Sequence, residues 1–253
     1  MKKMMKEILI AFSALALFSA GASAQISKGA RGNVGHADVA VTPSAPAACS
    51  PCLWYSGDTD PSNPNWNSLT NYSNPGLGVD GEIWVPFIVA SDGNPAHKLV
   101  LISSITFNEG LTNPPDDLTG ITYAFRTGIS SGNGGTLKQN GTCNTTSAVA
   151  TGITTFSETE YAFTCFPKKF AVKIPVGTIY WVNIEPAFTS SFNVYLNNAI
   201  DVPGLNQIGW SDDFYNSFFN SAYFGDDFVP TTSIPSFTGF QEFSVSIAGT
   251  YVN

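Results

Sequence analysis

Gly128-Ile129-Ser130-Ser131-Gly132 fits the G-x-S-x-G pattern that presents a nucleophilic serine in many hydrolases. Such an elbow needs a strand before the serine and a helix after it, because the helix N-terminus helps to build the oxyanion hole. ITYAFRT supplies the strand. Ser131-Gly132-Asn133-Gly134-Gly135 follows, however, and each glycine costs a helix roughly 1 kcal/mol. The base is missing as well, since the hydrolase order puts histidine after serine, whereas His36 and His97, the two histidines, both precede it. Nor does the stretch cradle phosphate: no G-K-[ST] follows, and Leu137 takes the last place of a G-x-G-x-x-G spacing. The segment reads as a turn joining ITYAFRT to a strand around TLKQ, with Gly132, Gly134 and Gly135 supplying positive φ angles.

Other residues could do chemistry of three further kinds. Glu158 and Glu160, two apart in SETEY, would share one face of a strand, and paired carboxylates divide acid and base roles in glycosidases. The E-x-D-x-x-E run of some sandwich-fold glycosidases does not occur, so a solvent face is the simpler reading. Asp58, Asp60 and Asn63, with Asp80 further on, gather the oxygen ligands that calcium takes, and they are also ordinary turn residues. The invariant glycine and closing glutamate of an EF-hand are replaced by Asn63 and Leu69. Apart from that calcium reading, no cofactor is expected. Asp212-Asp213 and Asp226-Asp227 read as solvated loop charges. Trp54, Trp66 and Trp210 lie in or beside loops, where flat rings could stack on a sugar or simply cover the ends of the fold.

The four cysteines are Cys49, Cys52, Cys143 and Cys165. Cys49-Ser50-Pro51-Cys52 spells a C-x-x-C, but LWYSGDTDPSNPNWN follows it without helical period, so a structural disulfide is favoured over a redox motif. Four cysteines allow three pairings, and the expected one is Cys49 with Cys52 and Cys143 with Cys165, because a two-strand return would bring the distal pair together.

The elements that position these residues are strands. Ile83, Val85, Phe87 and Val89 alternate, as do Phe170, Val172 and Ile174, and Phe243, Val245 and Ile247. TIYWVNI (178–184) is apolar on both parities and reads as a central strand covered on both faces. Pro86 marks its strand as an edge or a bulge. MKKMMKE, an apolar run and Ala22-Ser23-Ala24 have the form of a cleaved signal peptide, residues 1–24. Residues 25–48 are Gly/Pro/Ala-rich and read as a flexible leader, and 49–253 as one domain. The expected fold is all-β, an antiparallel sandwich of jelly-roll type. Cleavage would remove three lysines and one glutamate and take the formal charge from −8 to −10. That balance speaks against nucleic acid and anionic membrane surfaces as partners, and no membrane insertion is expected.

YAFRTGISSGNGGTL, FSETEYAF, VGTIYWVNIEP and the closing FSVSIAGT resemble an uncharacterised family of secreted bacterial β-sandwich proteins, many of which end in a Pro-Glu-Pro-type sorting tail. The most specific pieces are RTG-x-SSGNGGTL and YW-x-N-x-x-P. The sorting tail is not present in this sequence. The resemblance implies a sandwich and an extracellular address, with no activity attached. The sequence therefore reads as a secreted, non-enzymatic protein, extracellular or periplasmic, with a structural or surface-interaction role. A carbohydrate-binding module using loop aromatics on extracellular polysaccharide is the first alternative, and a hydrolase with an unfamiliar acidic site the second.

Overall fold

The computed structural model describes residues 49, 51–57, 59, 71–74, 79–155, 158–168, 172–189, 194–196, 198–199, 208, 216–222, 224–234 and 242–253. They form two packed sheets, and numbering follows the chain. In the first sheet β16 (Val245–Val252) lies between β1 (Cys52–Tyr55) and β4 (Leu99–Leu111), followed by β8 (Glu158–Phe166) and β7 (Thr145–Thr155). Short strands β9 (Lys173–Pro175) and β11 (Val194–Leu196) also pair with β4.

The second sheet runs β14 (Asp226–Pro230), β13 (Phe218–Ser221), β3 (Val79–Ile88), β2 (Tyr72–Asn74), β10 (Ile179–Phe188), β5 (Leu118–Thr127), β6 (Thr136–Thr142). A separate pair joins β12 (Asn198–Ala199) to β15 (Glu242–Phe243). Among the described residues every pairing is antiparallel except the β2–β10 contact, Ala187 with Ser73. The all-β sandwich expected from the alternation is therefore present, whereas the strand order does not establish the jelly roll.

Period two explains which side of each strand is buried. On β4 Ile105, Phe107 and Leu111 face inward, and Val182 and Ile184 of β10 and Phe87 of β3 meet them in one core. Phe87 stacks edge-on against Phe125 at 5.9 Å, and Phe163 against Phe188 at 6.1 Å. As its two-parity pattern implied, β10 lies between β3 and β5 and is covered on both faces, with Trp181 and Val182 both buried. Pro86 is a partial exception to the sequence reading. Its strand is internal, but β13 reaches only to Trp84, so at Pro86 the ladder runs to β10 alone among the described residues.

Cys49 is bonded to Cys52, and Cys143 to Cys165. The second bridge leaves the end of β6 in one sheet and enters β8 in the other, so it fastens the two layers together. Its loop of 22 residues constrains the unfolded chain by about 3 kcal/mol in the chain-entropy model. Replacing both Cys143 and Cys165 by alanine should lower the unfolding free energy by about that amount, read from denaturant midpoint and slope together, since a freed unfolded chain also raises the slope. An unchanged midpoint would mean that the sheets hold together without the bridge.

Candidate functional site

The turn after β5 answers the serine question. Ser130 and Asn133 exchange backbone hydrogen bonds of 3.0 and 2.8 Å, and the chain goes directly into β6. No helix follows Ser130, which is exposed. Gly135 has φ +63°, and a Cβ there would lie 2.2 Å from the Thr127 carbonyl, so this position demands glycine. Gly134 differs from expectation: its φ is not positive. It is small because the Phe228 ring lies on it, 2.5 Å from where a Cβ would stand.

Other expected positions move as well. Trp54 is wholly buried and packs on Phe87 with ring centroids 6.0 Å apart, so it belongs to the core and offers no sugar platform. Trp66, Trp210, Asp58, Asp60 and Asn63 lie outside the described residues, as does the side chain of Asp80. Within the described residues no group of three or more histidine, cysteine or acidic side chains is placed to hold a metal ion. Glu158 and Glu160 do share one side of β8, but that side is not solvent. Glu160 is fully buried and accepts a 3.2 Å bond from Thr59 Oγ1. Burial pushes the Glu158 carboxyl up to about 7. His97 sits in the loop before β4, 2.6 Å from Asp92 and stacked on Tyr251, remote from the serine turn in sequence and engaged in holding its own loop.

One surface feature of the described residues that could receive a ligand is a groove of about 360 Å³ on the outward side of the second sheet, within the usual size range of small-ligand sites. Alternation builds its floor: Tyr123 and Phe125 of β5 turn inward, which turns Thr122, Ala124 and Arg126 outward. Register then aligns three rows. Glu185 lies beside Thr122, which pairs with Thr142. Asn183 lies beside Ala124, which pairs with Asn140, and Trp181 lies beside Arg126, which pairs with Leu137. From β3, Glu82 and Trp84 complete the lining.

Three polar side chains of the floor, those of Glu82, Asn183 and Arg126, are held by neighbouring groups. Glu82 Oε2 accepts hydrogen bonds from Trp84 Nε1 and Asn220 Nδ2, both 3.0 Å, while Oε1 has no hydrogen bond among the described residues. Asn183 is 3 % exposed, and its Nδ2 donates to Asn71 Oδ1 at 2.8 Å and to the Ile83 carbonyl at 3.0 Å. Asn183 belongs to the lining. Arg126 lies between two rings, its guanidinium 5.0 Å from the centre of Trp84 and 5.4 Å from that of Phe228, and Nη1 donates to the Gly134 carbonyl at 2.9 Å. Phe228 adopts φ 45°, the one non-glycine residue with positive φ among those described. Such a conformation costs of order 1–3 kcal/mol and persists where its surroundings over-determine it. Here the ring is fixed by Gly134, Trp84 and Arg126.

Beneath the groove lies a polar joint. β3 and β10 pair directly from Ile88–Ile179 to Val85–Val182, then part, and β2 enters between them. At the fork Asn71 Oδ1 accepts from Ile83 N–H and Asn183 Nδ2, and its Nδ2 donates to the Ile184 carbonyl and to Glu109 Oε1. Four bonds of 2.8 to 3.0 Å use every donor and acceptor of the amide. Glu109 stands on the inward side of β4, in line with Phe107 and Leu111, and is fully buried. Burial pushes its carboxyl well above the ordinary value, opposed by the Asn71 bond and reinforced by the charge of Glu185. Its Oε2 has no hydrogen-bond partner among the described residues.

Glu82 and Glu185 were not singled out in the sequence, and Arg126 and Asn183 entered only as letters of RTG-x-SSGNGGTL and YW-x-N-x-x-P. The available signal was Asn183 itself, a polar residue inside an otherwise apolar strand.

No model of a protein family matches the chain, and neither a curated protein nor a solved structure is similar to it.

A raised acid in the folded state stabilises at low pH, and that contribution disappears as pH rises through the folded-state value. The Glu109 component should therefore be complete below about 4.5 and fall above it, with Glu158 adding a fall of the same sign up to about 7. Glu109→Gln keeps an acceptor for Asn71 and should flatten this decline in denaturant midpoints measured across pH. An undiminished decline would show that Glu109 is not protonated in the fold.

Proposed function

We propose that this is an extracellular, non-enzymatic interaction module of sandwich fold whose groove on the second sheet binds a polyhydroxylated ligand, an oligosaccharide segment of a larger polysaccharide. The observation that carries the reading is the arrangement of Glu82, Asn183 and Arg126. Each is fixed through one atom by a bond from behind and lines the groove, which is how a site is prepared in advance for a ligand. Sugar hydroxyls both donate and accept, so a floor that alternates carboxylate, amide, hydroxyl and guanidinium groups suits them. This moves the carbohydrate reading from the loop tryptophans to the face of a sheet, where the backbone ladder sets the spacing.

An exported address is supported by two disulfides, which persist in oxidising compartments, and by the signal-like first 24 residues. No helix of the described residues is long and apolar enough to cross a membrane.

Thr122 and Asn140 line the groove and are exposed, so both can be truncated without opening the core. Replacing the pair by alanine should weaken oligosaccharide binding by roughly tenfold, at about 0.5–1.5 kcal/mol per lost hydrogen bond, with the melting temperature nearly unchanged. Glycan-array hits followed by calorimetry on both forms would measure it. Equal affinity in the double variant would place the binding elsewhere.

A further inference from the structure

The sequence contains two Asn-Gly steps, Asn133-Gly134 and Asn140-Gly141, and the fold treats them differently. Asparagine before glycine is where a chain can attack itself. The glycine nitrogen can close a five-membered ring on the asparagine amide carbon, and no Cβ hinders its approach. Both asparagines are exposed, so water reaches both. Their following nitrogens differ. Gly141 lies inside β6, opposite Tyr123. Cys143 N–H donates to the Ile121 carbonyl, and antiparallel pairs alternate, so two residues back Gly141 N–H is aimed at the Tyr123 carbonyl. That nitrogen is committed to the ladder. Gly134 N–H stands between the Ser130–Asn133 pair and the start of β6 and has no hydrogen bond among the described residues. The side chain beside it is already folded back: Asn133 Oδ1 accepts a 2.9 Å bond from Gly135 N–H. That bond turns the amide carbon toward the Gly134 nitrogen and draws electron density from that carbon.

We infer that Asn133 is a self-modification site, converting in the folded protein through a cyclic imide to aspartate and isoaspartate, while Asn140 is held unreactive by its strand. Water is the one co-reactant. The Gly134 nitrogen gives its proton to solvent and bonds to Asn133 Cγ, the Cγ–Nδ2 bond breaks, and the leaving amide takes up a proton and departs as ammonia. Water then opens the ring at either carbonyl. Opening at Cγ restores the main chain and leaves aspartate, whereas opening at the main-chain carbonyl leaves a backbone that runs through Cβ and Cγ, which is isoaspartate. The consequence reaches Arg126, whatever the groove binds. Its Nη1 is held by the Gly134 carbonyl at 2.9 Å, and isoaspartate lengthens the main chain immediately before that residue. The turn has no slack to absorb the extra atom, since at Gly135 even a Cβ would lie 2.2 Å from the Thr127 carbonyl. The Gly134 carbonyl therefore shifts and Arg126 loses its bond.

The test incubates the full chain in mildly alkaline buffer, folded and in parallel in urea, and follows both Asn-Gly peptides by mass spectrometry with fragmentation that separates aspartate from isoaspartate. In the folded protein Asn133 should convert at least about tenfold faster than Asn140, because a strand amide reacts only when the strand opens. In urea the two should convert at comparable rates. Equal rates in the folded protein would overturn the inference. So would an Asn133 that is stable in the folded chain yet converts in urea, because the turn would then keep the ring from closing. Aspartate without isoaspartate would overturn it too, since that outcome marks direct hydrolysis of the amide. Asn133→Ser keeps an oxygen for Gly135 N–H and cannot cyclise. Incubation should lower the melting temperature of the native protein and leave that of Asn133→Ser unchanged, whereas an equal fall in both, or none in either, would overturn the link to Arg126. Should Asn133→Ser fail to fold, the ratio of the two peptides in the native protein decides the question.

Discussion

The amide of Asn71 is the joint on which the second sheet depends. Where β3 and β10 separate, the backbone groups of Ile83 and Ile184 lose the partners they would have had in a continuous ladder, and one side chain supplies both. An unpaired buried backbone group costs about 1–3 kcal/mol, so leaving this fork empty would cost several such penalties. Aspartate would lack the donors and a shorter side chain the reach. With the amide in place the sheet can widen to admit β2 without breaking, and the widened floor is the one that carries the groove.

The same amide ties the groove side of the second sheet to the first sheet. On one side it accepts from Asn183, which fixes a side chain that lines the groove. On the other it donates to Glu109, an acid in the apolar space between the sheets. A buried carboxyl in such a place is tolerable when protonated, since desolvation penalises the charged form alone. The charge of Glu185 on the groove side pushes in the same direction. Groove-lining groups and the centre of the core are thus electrostatically linked.

Much of the framework was legible in the sequence because burial in a sandwich has a period of two. The alternation of Ile83, Val85 and Phe87 and the two-parity run TIYWVNI located β3 and β10, and the glycines after Arg126 located the turn. What escaped was tertiary in origin. Trp54 stands beside loop-like sequence, yet its ring is claimed by Phe87 from the opposite sheet. Glu160 has the spacing of a solvent-facing acid, but it is closed over and bonded to Thr59. Gly134 looked like a conformational glycine and is a packing glycine, because Phe228 arrives from a hairpin some ninety residues away. The groove could not be read at all, since Glu82, Asn183 and Arg126 come from three strands whose register only pairing defines.

The most direct measurement is amide chemical-shift mapping of the isotope-labelled protein during titration with a bound oligosaccharide. The shifting resonances should fall on the outward residues of β3, β10, β5 and β6, with the Asn183 side-chain amide among them, while the outward side of the first sheet stays still. Shifts confined to the first sheet, or to the loops at the ends of the sandwich, would contradict it.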